Sequence, residues 1–92
     1  MKTLSQLVLE IQTYFLAVVS KKCESIDDYE DRDMALESIE QDCEFISTEL
    51  QEQPEAYDSV LSFSKLLKEY GEYSMVKKLE IGLAYASLIV ED

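Results

Sequence analysis

Apolar residues recur along this chain at alternating steps of three and four positions, the spacing that places side chains on one face of an α-helix. Four stretches show the pattern, and residues that favour caps, turns or breaks separate them. The pattern predicts an all-α fold: a small antiparallel bundle of about four helices, at approximately residues 3–23, 26–51, 54–70 and 73–90. At this length we expect a single helical domain, residues 1–92.

Local signals support these boundaries. Thr3 and Gln6 have the spacing of a capping box, and Ser25 can cap the second helix. Pro54 suits the first turn of the third helix, and Gly71 suits a left-handed residue just after its end.

The apolar stripes are the predicted core, one face of each helix. Gly82 would also let a neighbouring helix approach the fourth helix closely. The predicted stripes are Leu4, Val8, Ile11, Phe15 and Val18 in the first helix, Tyr29, Leu36, Ile39, Cys43, Ile46 and Leu50 in the second, Ala56, Val60, Phe63, Leu67 and Tyr70 in the third, and Val76, Leu79, Leu83, Ala86 and Val90 in the fourth.

The fourth helix has a second apolar face. Ile81, Tyr85 and Leu88 lie roughly 180–240° around the helix from Leu79, so one bundle cannot easily bury both stripes. Either this helix is central and surrounded, or Ile81, Tyr85 and Leu88 form an interface, for example that of a homodimer.

Charge is distributed very unevenly along the chain. Fourteen of the 20 acidic residues lie between positions 24 and 58, where Arg32 is the one basic residue, and the rest of the chain is nearly neutral. The carboxylates that we expect on the outward side of the second helix are here named the acidic face. They are Asp27, Glu30, Asp31, Glu37, Asp42, Glu44, Glu49 and Glu52.

The density of this charge suggests a role in binding. A helix over residues 24–52 would be about 43 Å long with a net charge near −11, or roughly one charge per 4 Å. One strand of B-form DNA carries one charge per about 3.4 Å. A charge run is often only a solvated surface, but this helix has almost no Lys at i,i+4 to offset the repulsion. Because this repulsion opposes folding, we interpret the acidic face as a surface that binds a cation-rich protein.

Two apolar residues interrupt the acidic side. Met34 and Phe45 point roughly 160° and 180° away from Leu36, so a straight helix leaves both among carboxylates, as in the apolar anchors of protein interfaces. The alternatives are that the helix breaks near Asp33 or that a neighbouring helix covers Phe45.

Catalytic and ligand-binding motifs are not evident. The chain has no His, which excludes His-based triads and zinc sites. The S-x-x-K sequence at Ser74 and Lys77 is attributed to chance, and the Asp-rich start of the second helix lacks the glycine and glutamate of an EF-hand. We expect no enzyme, no cofactor and no metal. Direct binding to nucleic acid is disfavoured by the net charge of −12.

Cys23 and Cys43 lie on or near apolar stripes and are interpreted as small buried side chains. A disulfide between them is the alternative if the first two helices are antiparallel. No secretion signal or membrane-spanning segment is evident, so we expect a protein of the host cytosol.

Three functional classes follow. In size, acidity and helical character the chain is similar to phage-encoded anti-restriction and anti-CRISPR proteins that mimic DNA, although no motif aligns. That resemblance implies an inhibitor of a basic, nucleic-acid-binding protein. The alternatives are an immunity protein or antitoxin that neutralises a cationic nuclease, and a helical adaptor or dimerisation module whose charge is only solvated.

Overall fold

The computed structural model describes residues 2–90, apart from the side chain of Val90, and within them contains four α-helices and no strand. They are α1 (Leu4–Ser20), α2 (Ile26–Glu52), α3 (Tyr57–Glu69) and α4 (Tyr73–Val90), and a short 3-10 helix at Pro54–Ala56 leads into α3. The predicted all-α bundle is therefore confirmed. The predicted core position of the Val90 side chain lies outside the described residues.

Reciprocal side-chain caps begin α1 and α2; the sequence predicts the capping box of α1 and Ser25 as the cap of α2. The Gln6 N–H donates to Thr3 Oγ1 at 3.2 Å, and the Thr3 N–H donates to Gln6 Oε1 at 2.9 Å. At α2 the Asp28 N–H donates to Ser25 Oγ at 3.2 Å, and the Ser25 N–H donates to Asp28 Oδ2 at 3.3 Å. Each pair satisfies amide groups that have no acceptor inside the helix.

Helix ends follow the local signals with two exceptions. Gly71 has φ +75, which is the left-handed conformation expected just after α3. Pro54 opens a 3-10 turn rather than α3 itself. The first helix ends at Ser20 and not at residue 23, because Lys21 adopts an extended backbone as the chain turns back towards α2. The last residue of the inward stripe of α1 is Val18, so a further helical turn after Ser20 would add no residue of that stripe to the core.

The four helices pack in a ring that does not follow chain order. Helix α2 packs most extensively on α4 and also on α1, whereas α3 packs on α4 and α1 and hardly contacts α2. The order around the ring is therefore α1, α2, α4, α3. The connection from α2 to α3 crosses one end of the bundle, where the 3-10 helix contacts α2, α3 and α4 and buries Ala56.

Consecutive helices run in opposite directions, so the neighbours that are not consecutive run parallel. On α2 and α4, Lys78 approaches Glu44 and Gly82 approaches Ser47, and the two contacts advance along both helices in the same direction. On α1 and α3, Phe15 packs edge-on against Phe63 and Tyr70, with ring centroids 6.3 and 5.4 Å apart. Phe15, in the second half of α1, thus meets the middle and the C-terminal end of α3, as expected for two parallel helices.

Gly82 sets the closest approach between two helices. A Cβ atom added at this position would lie 2.5 Å from the carbonyl oxygen of Ser47 and 2.8 Å from its Cα. Because both of these atoms belong to the α2 backbone, any side chain at position 82 would force α2 and α4 apart. The close approach suggested by the sequence is confirmed at Gly82, and Ala86 is fully buried.

The register of α4 determines how far α2 is buried. With Gly82 beside Ser47 and 1.5 Å of rise per residue, Tyr73 at the start of α4 is level with about residue 38 of α2. The first buried residue of α2 is Ile39. Residues 26–38 of α2 therefore extend beyond α4, and together with the end of α1 and the loop at 21–25 they form a two-helix arm, residues 16–38.

The arm explains a wrong prediction in the core. Tyr29 was expected to lie in the inward stripe of α2, but it is 55% exposed because α4 does not reach it. Leu36 is half-buried at the base of the arm. The rest of the stripe is fully buried, as predicted: Ile39, Cys43, Ile46 and Leu50.

Gly82→Ala is expected to lower the free energy of unfolding by roughly 1–3 kcal/mol, because the added methyl group meets the α2 backbone. By helix propensity alone the change would stabilise the protein by about 1 kcal/mol, so the two effects have opposite signs. Urea denaturation followed by circular dichroism measures the difference. Ser74→Ala, at an exposed position of the same helix, is the control and should not destabilise. A more stable Gly82→Ala protein would contradict the close contact.

Candidate protein-binding face of helix α2

Most of the acidic face points to solvent. Six of its eight carboxylates are exposed because α1 and α4 both pack on the opposite half of α2. Helix α2 is continuous from Ile26 to Glu52, so no break redirects any of them. The six exposed members are Asp27, Glu30, Asp31, Glu37, Glu44 and Glu52.

Asp42 and Glu49 are the exceptions. Both are half-buried, and both lie roughly 80–100° around α2 from its buried stripe, on the side that faces α1. Burial raises the pKa of Asp42 above its usual value. Glu49 lies in a shallow depression with Leu4 and Leu7 at the start of α1. These two carboxylates form one edge of the acidic face rather than its centre.

Few cations neutralise this surface. Among residues 2–90, Glu44 is the one member of the acidic face in an ion pair, with Lys78 Nζ 3.9 Å from its Oε2. Both side chains are partly exposed, and surface pairs of this kind contribute little. Lys68 is occupied by Glu80 at 3.7 Å. Arg32, the one cation of α2, is half-buried and faces a groove against α1.

The resulting charge density is close to that expected from the sequence. Over Ile26–Glu52, α2 has a net charge of −10 and a length of about 40 Å, which is roughly one charge per 4 Å. The exposed carboxylates are most closely spaced on the arm, where Asp27, Glu30, Asp31 and Glu37 fall within three turns. The arm as a whole has a net charge of −4 because Lys21, Lys22 and Arg32 also lie on it, so the negative charge extends along the whole of α2. The arm is the part of α2 with the fewest neighbouring helices.

The two predicted apolar anchors differ in their surroundings. Met34 is 68% exposed on the arm and is flanked by carboxylates, as expected for a straight helix. Phe45 is 51% exposed, but one side of its ring lies against the depression formed by Leu4 and Leu7. In the described part of the chain, no neighbouring helix covers the ring, although Leu4 and Leu7 of α1 lie in the same depression.

Sequence reasoning missed further apolar side chains on the arm. Ile26 and Tyr29 of α2 are exposed there, and Tyr14 of α1 is half exposed just below the arm. Helix length is the signal that could have found them. The second predicted helix is about nine residues longer than the third and fourth, so part of its inward stripe had to lack a covering helix.

The two cysteines are free and lie far apart along the molecule. Cys43 is buried in the core, 17 residues or about 26 Å along α2 from Ile26, whereas Cys23 is half-buried in the preceding loop. The predicted burial is thus right for Cys43 and only partly right for Cys23. Burial raises the pKa of the Cys43 thiol to about 12, and the carboxylates of Asp42 and Glu40 act in the same direction. Cys43 is therefore unreactive at neutral pH.

Other kinds of site find little support. Within residues 2–90, no group of three or more Cys, Asp or Glu side chains is arranged to hold a metal ion. In the same part of the chain, no helix combines the length and the apolar character needed to cross a membrane. Comparison of the chain with models of protein families, with curated proteins and with solved structures finds no match.

Two aspartates of α2 should respond to substitution in opposite directions. Burial raises the pKa of Asp42, so its ionised form opposes folding at pH 7. The pKa of Asp28 is lowered, chiefly by the hydrogen bond from the Glu24 N–H at 3.0 Å, so its ionised form favours folding. Asp42→Asn should therefore raise the free energy of unfolding at pH 7, by under about 0.5 kcal/mol because solvent screens this half-exposed group. Asp28→Asn should lower it.

Both differences should disappear in acid. The gain in Asp42→Asn shrinks as the pH falls through the raised pKa of Asp42, because wild-type Asp42 then becomes neutral. The loss in Asp28→Asn persists to lower pH, shrinks as the pH falls from the ordinary pKa of an aspartate to the lowered pKa of Asp28, and is gone below that pKa. Urea midpoints measured across the acid range test both signs, and equal effects of the two variants at pH 7 would contradict the assignments.

Proposed function

We propose that this protein binds and inhibits a basic partner protein, one whose own ligand is nucleic acid, by presenting α2 as a polyanion. The observation that supports the proposal most directly is the acidic face itself. Its six exposed carboxylates follow a rod about 40 Å long, and a single distant lysine, Lys78, pairs with one of them.

Electrostatics gives this surface two functions in the proposal. At long range, the field of α2 steers a cationic surface into contact and raises the association rate. At short range, the carboxylates replace phosphates along a DNA-binding surface, because the net charge of α2, roughly one per 4 Å, approaches the one per about 3.4 Å of a single DNA strand. The partner thus loses the surface that it needs for nucleic acid.

Apolar contacts supply the part of the affinity that charge alone does not. Met34 and Phe45 rise among the carboxylates and can enter apolar pockets of the partner, as anchors in protein interfaces do. Phe45 lies beside Leu4 and Leu7 in a shallow depression and is half buried, so less side-chain freedom is lost when it binds than for a fully exposed residue.

The biological setting that fits best is an anti-defence inhibitor of the DNA-mimic type, such as an anti-CRISPR or anti-restriction protein, that acts in the host cytosol. An immunity protein or antitoxin directed at a cationic nuclease would use the same surface. A helical adaptor, in contrast, would not use the acidic face for binding, because the carboxylates there would only be solvated. The identity of the captured partner and its response to DNA distinguish these classes.

We expect a partner captured from lysate on the immobilised protein to be released by duplex DNA more readily than by polyglutamate of equal charge. Release by DNA and not by polyglutamate would show that the protein occupies the partner's DNA-binding surface. A nuclease toxin among the captured proteins would favour the immunity class. A partner that DNA does not displace would contradict mimicry.

Neutralising the exposed carboxylates of the arm should slow association. The triple variant Glu30→Gln, Asp31→Asn and Glu37→Gln is expected to lower the association rate constant for the captured partner by about tenfold at low salt, and by much less at high salt. Surface plasmon resonance measures both rates. The matched control, Asp58→Asn, Glu69→Gln and Glu80→Gln, removes the same charge from exposed positions on α3 and α4. Equal slowing by both variants would show that net charge, and not the acidic face, is responsible.

Phe45→Ala should weaken binding about tenfold while changing the free energy of unfolding by under about 1 kcal/mol, because the ring is half exposed. Met34→Ala should weaken binding without measurable loss of stability. Leu9→Ala is the control, since Leu9 is equally exposed on the side of α1 that faces α3. A large loss of stability in Phe45→Ala would instead identify Phe45 as part of the core.

A further inference from the structure

The outer side of α4 carries large apolar side chains that no other element within residues 2–90 covers. The exposed fractions are 59% for Ile81, 56% for Tyr85, 66% for Leu88 and 52% for Ile89. Their exposure decides between the two explanations left by the sequence. Helix α4 is not surrounded, because its neighbours α2 and α3 both pack on its opposite side.

The spacing of this face is that of a helix that pairs with another helix. Lys77, Ile81, Ala84 and Leu88 follow one another at steps of four, three and four, the heptad spacing of a coiled-coil seam. Ala84 is exposed and small, so a second helix can approach closely at the middle of the seam. A helix that is apolar on two sides needs a partner on each of them.

Charge indicates which partner fits. Helix α4 contains Lys77, Lys78 and Glu80 and is the one helix of the four with a positive net charge among its described residues, in a chain whose total is −12. A strongly basic protein, which suits the acidic face, has no electrostatic reason to bind α4. A second copy of this chain can approach through α4 with less repulsion than through α2, where each copy carries −10.

We propose that two copies of this protein form a homodimer in which the outer faces of α4 pack antiparallel around a two-fold axis that passes near Ala84 and Tyr85. Ile81 and Leu88 are seven residues apart, so such an axis sets Ile81 of one copy against Leu88 of the other. It also brings Lys77 towards the C-terminal end of the facing helix, where the helix dipole is negative. A parallel pair would instead bring the two Lys77 side chains together.

The exposed apolar area of α4 sets the expected affinity of the homodimer. Four large side chains that are half to two-thirds exposed offer on the order of 400 Å² per copy. A stable interface buries about 800 Å² per partner, so the stems of Lys77 and Lys78 must supply much of the remainder. We therefore expect a dimer that dissociates in the micromolar range. The proposal does not depend on the proposed function, because the acidic face is no part of this interface.

Sedimentation equilibrium tests the dimer, over loading concentrations from about 1 μM to about 1 mM. The wild type should pass from monomer to dimer within this range. Leu88→Glu should weaken self-association about tenfold or more while keeping the helical circular dichroism, because it sets a carboxylate in the seam. Met34→Glu adds the same charge at an equally exposed apolar position of α2 and should leave self-association unchanged.

Cross-linking tests the orientation in a Cys23→Ser background, since Cys43 is buried. Ala84→Cys should be linked between copies by a short bis-maleimide, whereas Ser74→Cys should not, because an antiparallel pair separates the two Ser74 positions by about 30 Å. A wild type that stays monomeric throughout overturns the proposal. The proposal is also overturned if Leu88→Glu dimerises as strongly as the wild type, or if Met34→Glu weakens dimerisation as much as Leu88→Glu does. Equal linking at Ala84 and Ser74 overturns the antiparallel arrangement.

Discussion

The close packing of α2 on α4 is the contact that the rest of the bundle depends on. Eight pairs of carboxylates at i,i+3 or i,i+4 along α2 repel one another, at a cost of about 2–4 kcal/mol in total. Ile39, Ile46 and Leu50 are fully buried, and burial of three such side chains contributes about 5–9 kcal/mol. The glycine at position 82 lets the α4 backbone come close enough for this burial. A helix that would be unstable alone is thus held by one tightly packed neighbour.

The same contact creates the exposed arm. Because α4 runs parallel to α2 and begins level with about residue 38, it covers the second half of the longer helix and leaves the first half uncovered. Carboxylates crowd on this uncovered half, and there they lose no solvation. Tyr29 is exposed for the same reason, whereas Met34 is exposed because it lies on the outward side of α2. The uncovered half of α2 and the exposure of Tyr29 therefore both arise from a difference in helix length.

The bundle presents two surfaces of different character. On α2 the outer side is acidic and has one weak counter-ion, whereas on α4 the outer side is apolar and flanked by Lys77 and Lys78. The two helices are neighbours in the ring, so their outer sides face different directions. A partner bound to the acidic face and a second copy bound to α4 would not compete for the same residues. A dimer would then present two acidic faces to solvent.

The sequence by itself determined the number and approximate bounds of the helices, the capping pairs, the left-handed Gly71, most of the buried stripe of each helix and the concentration of acid on α2. All of these depend on residues within a few positions of one another, where hydrogen bonding, side-chain periodicity and charge act locally. Only the tertiary structure decided that α2 packs beside α4 rather than α3, that Tyr29 lies beyond the reach of the core, that Phe45 shares a depression with Leu4 and Leu7, and that α4 has an uncovered side. Each of these depends on which helices meet and at what register, through contacts such as that between Ser47 and Gly82. Residues so far apart in the chain are brought together by the packing of whole helices, and no local pattern encodes that register.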